Sequence, residues 1–63
     1  MNSYEKLRKL MYEKNVNKAD VIRATGVTRP VLTNWEHGRS EPSLKTLKRL
    51  AIYFGVSASY FID

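Results

Sequence analysis

The chain has 63 residues and a net charge of +5 at pH 7, with 11 lysines and arginines against 6 acidic residues. It contains no cysteine and one histidine, His37, which excludes disulfides, thiolate metal sites and a histidine-based metal cluster. So short a chain predicts a single domain, residues 1–63. Its basic character fits an anionic partner such as nucleic acid, and it fits plain solubility equally well.

Other classes of function lack the residues they need. No apolar run approaches the roughly 20 residues that span a membrane, and the N-terminal segment has no signal-peptide core. We therefore expect a cytoplasmic protein with no membrane role. The sequence also lacks paired carboxylates, a nucleophile with a neighbouring base and a phosphate loop. We expect no enzymatic activity, cofactor, metal or small-molecule substrate.

Capping residues divide the first part of the chain into two predicted helices. Ser3 begins the first helix, and Asn15 ends it in a left-handed conformation, which asparagine tolerates. Asn17 caps the second helix, roughly residues 18–25, and Gly26 stops it. The inward face of the first helix consists of apolar residues at helical spacing: Tyr4, Leu7, Leu10 and Met11.

Three further helices are predicted after this point, with no strand pattern. Thr28 caps the third helix, Pro30 lies in its first turn, where a missing N–H costs nothing, and Gly38 ends it. Ser43 caps the fourth helix and Gly55 ends it, and Ser57 caps the fifth helix. The inward stripe of the fourth helix is Leu44, Leu47, Leu50, Ala51 and Phe54.

The segment 18–38, KADVIRATGVTRPVLTNWEHG, contains a short helix, a glycine-centred turn and a second short helix. This is the pattern of a helix-turn-helix, here at about residues 18–37, whose second helix enters the DNA major groove. GVTRPVLTNWEHG at 26–38, PSLKTLKRLA at 42–51 and FGVS at 54–57 follow in order. Together they resemble the lambda repressor and Cro class of helix-turn-helix proteins, the Xre family.

The resemblance implies a compact all-α fold of five helices. It also implies a sequence-specific DNA-binding transcriptional regulator, a phage or bacterial repressor that binds a palindromic operator on double-stranded DNA as a homodimer. The alternative is a protein-interaction module, an antitoxin or anti-regulator, that uses exposed aromatic residues near the C-terminus. Alanine at Arg29 and Asn34 separates the two, because only the regulator needs groove-reading side chains.

Some positions depart from the family pattern. Ile22 stands where the family has a small alanine, and its bulk should shift the second helix relative to the third. Met11 stands where the family often has an arginine that pairs with the glutamate of the W-E motif. Glu36 is therefore expected to lack its usual partner or to find another, such as Lys14.

The third helix carries candidate base-reading residues. Arg29 can donate two hydrogen bonds to a guanine, and Asn34 can pair with an adenine. Thr33 and Pro30 can pack on a thymine methyl, and by the resemblance Lys18 reaches a base edge. The alternative interpretation makes Arg29 and Asn34 ordinary solvated residues.

Phosphate contacts need backbone N–H groups at a helix start, or nearby cations and hydroxyls. The candidates are Asn17, Lys18, Thr28, Arg39, Ser40 and Lys45. Arg23 stays open. The remaining cations fit a solvated face: Lys6, Lys9, Lys48 and Arg49.

Aromatic residues account for the rest of the chain. Trp35 is expected in the core, against Met11 and the fourth-helix stripe, rather than stacked on a base. Phe61 is expected to close the core, and His37 to be a solvated residue of the last helical turn rather than a pH switch. The expected dimer contact, which we name the C-terminal patch, is Tyr53, Tyr60 and Ile62; the alternative is that these residues cover the domain's own bottom face.

Overall fold

Residues 3–62 are described by a computed structural model, and every regular element in them is a helix. The five helices are α1 (Tyr4–Lys14), α2 (Lys18–Thr25), α3 (Arg29–Glu36), α4 (Leu44–Phe54) and α5 (Ser59–Ile62). The predicted all-α fold of five helices is therefore confirmed. Residues 1–2 and 63 of the predicted domain lie outside the described residues.

Local chemistry ends and starts most helices as predicted. Asn15 closes α1 at φ 58°, and Gly26 closes α2 at φ 76°, a left-handed conformation that a glycine adopts without a Cβ penalty. Asn17 caps α2 by accepting a 2.9 Å hydrogen bond from the Asp20 N–H. The Ser43 hydroxyl caps α4 in the same way, with a 3.2 Å bond from the N–H three residues on.

Two predicted caps are wrong in their chemistry, although both residues precede helices. Ser3 is in a helical conformation, and its hydroxyl accepts a 2.7 Å bond from Trp35 Nε1 and donates to Glu41 at 3.1 Å. Thr28 is extended, but its side chain makes no capping bond. An N-cap oxygen accepts from the second or third helical N–H, and Pro30 in second position has none to donate.

The core is centred on Trp35, which is 1% exposed and confirms the prediction that this ring is buried. Its nearest rings are those of Tyr4 at 5.4 Å and Phe61 at 5.9 Å, both edge-on. Because these rings belong to α1, α3 and α5, one side chain joins three helices. Phe61 closes the core as predicted. The other buried residues are Leu7, Leu10, Val21, Val27, Leu32, Leu47, Leu50 and Ala51.

The predicted inward stripe of α4 is wrong at one end, because Leu44 is 53% exposed. The helix packs against α2, and its buried residues Leu47, Leu50 and Ala51 begin about one turn after Leu44. Leu44 lies in the first turn of α4, on the solvent side of the start of this helix.

Candidate nucleic-acid interface

The predicted base-reading residues of α3 share the face opposite its buried residues Leu32 and Trp35. At about 100° per residue they span an arc of about 140°. In order around that arc, they are Arg29, Thr33, Pro30 and Asn34. Arg29 and Pro30 are exposed, and Thr33 and Asn34 are half-buried. We call this surface the outer face of α3.

Two side chains on this face keep their hydrogen-bonding groups available. The guanidinium of Arg29, the first residue of α3, makes no ion pair within residues 3–62. The backbone carbonyl of Asn34 accepts a 2.8 Å bond from the Arg39 N–H, while its side-chain amide stays uncommitted among the described residues. Both groups have the donors and acceptors that base edges require.

His37 belongs to the same surface, and the sequence interpretation placed it only in solvent. It follows α3 directly, is exposed, and donates its backbone N–H to the Thr33 carbonyl at 3.1 Å. A residue four positions after Thr33 lies one helical turn further along the same face. That spacing was the available signal in the sequence.

The N-terminus of α2 is already partly satisfied by the protein itself. The Asp20 carboxylate accepts the Asn17 N–H at 2.9 Å, completing a capping box, and also pairs with Arg23 at 2.6 Å. A negative charge therefore sits beside the expected phosphate position. The backbone N–H groups left for an anion are those of Lys18 and Ala19.

Lys18 points its ammonium at a carboxylate on α3. Its Nζ lies 2.8 Å from Glu36 Oε1, and Arg8 Nη2 lies 3.3 Å from the other Glu36 oxygen. Arg8 also approaches Glu5 at 3.6 Å. Because these contacts tie α1, α2 and α3 together, we call Arg8, Lys18 and Glu36 the three-helix ion cluster. Glu36 has therefore found partners other than Lys14, whose ammonium lies 5.1 Å from the ring centre of Tyr53.

The ion cluster stabilises the charged form of Glu36. The hydrogen bond from Lys18 lowers the pKa of this carboxyl below its ordinary value of 4.5. Partial burial opposes this pKa shift, and the positive charges of Lys18, His37 and Arg8 reinforce it. The folded state therefore binds a proton at this carboxyl less readily than the unfolded chain does.

We expect this pKa shift to appear in acid stability. A carboxyl with a lowered folded-state pKa contributes stability above its ordinary value of 4.5, and loses it as the pH falls through the lowered folded-state value. Glu36→Gln should therefore flatten the decline of the melting temperature below about pH 4.5. Circular dichroism melts of both proteins across acidic pH measure this. Glu13→Gln, at an exposed residue of α1, is the control and should keep the original decline.

The other candidate phosphate contacts lie in accessible positions. Thr28 is exposed, and its hydroxyl makes no capping bond to α3. Arg39, Ser40 and Lys45 are exposed after α3, with Lys45 in the first turn of α4. These DNA roles stay predictions.

The residues of the C-terminal patch do not form one cluster. The Tyr53 ring lies under Lys14, and the Tyr60 ring lies 5.8 Å from Lys6 Nζ. Lys6 and Lys14 are about 12 Å apart along α1, at 1.5 Å per residue, so the two tyrosines lie near opposite ends of that helix. Ile62 is exposed. The dimer role of these residues stays a prediction.

Two exposed apolar side chains escaped the sequence interpretation. Ile52 is 82% exposed beside Tyr53, and Tyr12 is exposed on α1. The position of Ile52, outside the helical stripe of Leu47, Leu50 and Ala51, was a usable signal. Separately, none of the helices within residues 3–62 has the length and apolar character needed to cross a membrane. The same residues hold no group of three His, Cys, Asp or Glu side chains that could bind a metal ion.

A family model described as helix-turn-helix matches residues 5–61. The chain belongs to the helix-turn-helix family. It is 37% identical over 63 residues to the HTH-type transcriptional regulator DdrOP3 of Deinococcus deserti, covering 100% of this chain and 49% of that protein. It is 33% identical over 58 residues to the cryptic phage CTXphi transcriptional repressor RstR of Vibrio cholerae, covering 92% and 52%.

A third relative is the ImmF control region 10 kDa protein of Bacillus phage phi105, 42% identical over 40 residues, covering 64% of this chain and 44% of that protein. The chain spans about half the length of the curated relatives it matches. No solved structure matches it. The family resemblance carried by residues 26–38, 42–51 and 54–57 is confirmed, because the matched family is that of the Cro/C1-type helix-turn-helix domains.

Proposed function

We propose that this helix-turn-helix chain binds DNA sequence-specifically as part of a transcriptional repressor. The observation that carries the proposal is the outer face of α3. Within residues 3–62, the guanidinium of Arg29 and the side-chain amide of Asn34 make no ion pair or hydrogen bond, and the buried Trp35 fixes the helix from behind. Relatives named as transcriptional regulators and repressors support the same function.

In this proposal α3 lies in the major groove with its N-terminal end toward the bases. Arg29 donates two hydrogen bonds to guanine O6 and N7, and Asn34 pairs with adenine N6 and N7. Thr33 and Pro30 pack on a thymine methyl. His37 extends the contact along the same face.

Phosphate contacts flank the helix on both sides. They involve Asn17 and the backbone N–H groups of Lys18 and Ala19 at the start of α2, and, after the turn and after α3, Thr28, Arg39, Ser40 and Lys45. About four to six such contacts would make the logarithm of the binding constant fall steeply with the logarithm of salt concentration.

Two copies on one operator complete the proposal. Their recognition helices would lie about 34 Å apart, one turn of DNA, and would read a palindrome. Of the C-terminal patch, Ile62 is the proposed centre of the contact because it is the most exposed member, while Tyr53 and Tyr60 lie apart from one another.

Selection from a random duplex library at moderate salt tests the proposed function. We expect an enriched palindrome whose half-site centres are about one helical turn apart, with guanine and adenine at fixed positions. Enriched single half-sites would retain base reading and reject the homodimer. Salt-sensitive binding without any enrichment would reject sequence-specific binding and favour the protein-interaction module.

A further inference from the structure

We propose that Glu36 is a positioning residue that holds Lys18 within the three-helix ion cluster and competes with DNA phosphate for its ammonium. This inference rests on the proposed DNA-binding function. In this inference Glu36 weakens the contact between Lys18 and DNA. The sequence pattern alone predicts that Lys18 contacts both a base and a phosphate.

The geometry of Lys18 carries the first step. It is the first residue of α2, and a phosphate docked on that helix start would lie close to it. Its ammonium nevertheless lies 2.8 Å from Glu36 Oε1, and its side chain is only 26% exposed. The long aliphatic stem is folded toward α3, so the charge is directed at a carboxylate of the protein.

Glu36, and not the neighbouring Asp20, competes with DNA phosphate for the Lys18 ammonium. Asp20 also lies near the start of α2, but its carboxylate is occupied by the Asn17 N–H and by Arg23. Among the ion pairs within residues 3–62, Glu36 is the acid that contacts Lys18.

Arg8 is a second cation on Glu36, with its Nη2 3.3 Å from the carboxylate. When Lys18 is replaced, Arg8 therefore still pairs with Glu36, and the carboxylate is not left without a cation. The cluster of two cations and one anion has a net charge of +1, and Glu36→Gln raises it to +2. An ammonium already neutralised by a carboxylate adds little to counterion release, whereas a liberated ammonium adds one contact.

Salt titrations of four proteins test the inference: the unaltered chain, Glu36→Gln, Lys18→Gln and the double variant. The probe is a fluorescein-labelled duplex of mixed sequence, followed by anisotropy. Glu36→Gln should steepen the log–log salt slope by about 0.9, an additional affinity loss of about 3–4-fold between 50 and 200 mM salt. Lys18→Gln alone should have nearly the same salt slope as the unaltered chain. The double variant should lack the additional slope of about 0.9 that Glu36→Gln produces alone.

Glu5→Gln is the matched control, because Glu5 contacts Arg8 at 3.6 Å but is not paired with Lys18. It removes the same charge from the same side of the cluster and should leave the slope unchanged. Equal steepening by Glu5→Gln and Glu36→Gln would reduce the effect to net charge and overturn the inference.

Three other results would also overturn it. A slope flattened by about 0.9 in Lys18→Gln alone would place the ammonium on DNA despite Glu36. The comparison of Lys18→Gln with the unaltered chain tests whether Lys18 contacts DNA even if Glu36→Gln fails to fold and loses its helical circular dichroism signal. Absence of duplex binding by the unaltered chain would reject the proposed function and this inference with it, whereas binding with an unchanged Glu36→Gln slope would reject the inference alone.

Discussion

Trp35→Ala is expected to remove a third or more of the free energy of unfolding of this chain. The ring is fully buried, contacts rings from α1 and α5, and donates Nε1–H to Ser3. Truncating a buried tryptophan to alanine costs about 3–5 kcal/mol. A stability of about 0.05–0.15 kcal/mol per residue gives a chain of this length only about 3–9 kcal/mol in total.

Urea unfolding followed by far-UV circular dichroism measures this loss without needing the tryptophan signal. Two variants separate the ring from its hydrogen bond. Trp35→Phe keeps an aromatic ring in place and should lose less stability than Trp35→Ala. Ser3→Ala removes the hydroxyl that accepts from Trp35 Nε1 and should cost about 0.5–1.5 kcal/mol. A Trp35→Ala protein within about 1 kcal/mol of the unaltered chain would contradict the central role of this ring.

The helix boundaries could be predicted from the sequence because their chemistry is local. Asn15 and Gly26 adopt left-handed conformations that depend on the residue itself and its immediate neighbours. The capping bond of Asn17 spans only three residues. The side chains on the outer face of α3 could be predicted for a related reason, because helical periodicity alone determines which residues share a face.

The predictions that were wrong concern contacts between segments that are distant in the sequence. The hydroxyl of Ser3 bonds to Trp35, 32 positions away, so the capping rule chose the right residue and the wrong partner. Leu44 fits the helical stripe of α4, but its burial depends on whether another segment of the fold covers the first turn of that helix. The separation of Tyr53 and Tyr60 depends in the same way on the position of α1. A pattern in one helix cannot supply these distances.

The ion cluster shows the same limit at the candidate site. The family pattern drew attention to Glu36 through the missing arginine at Met11. It could not reveal that Arg8, three residues earlier on α1, and Lys18, the first residue of α2, would both reach the carboxylate. Lys18 consequently has two competing interactions, one within the protein and one proposed with DNA.

Alanine at Arg29 or Asn34 is expected to abolish discrimination at one base pair of each half-site. A bidentate contact contributes about 1–3 kcal/mol of discrimination, so affinity for the selected duplex should fall by about 5- to 150-fold per variant. Affinity for a mixed-sequence duplex should change little for Asn34→Ala, which removes no charge. Selection repeated with each variant should show one relaxed position: guanine for Arg29→Ala and adenine for Asn34→Ala.

Two charge controls identify what Arg29 does on DNA. Arg29→Lys keeps the positive charge but loses the planar fork that matches guanine, so it should relax the same position as Arg29→Ala while retaining the salt slope. Lys9→Ala removes a cation from the exposed side of α1 and should leave every base preference intact. If Arg29→Lys instead keeps the original preferences, Arg29 contacts a phosphate, and guanine recognition must come from another residue on the outer face of α3.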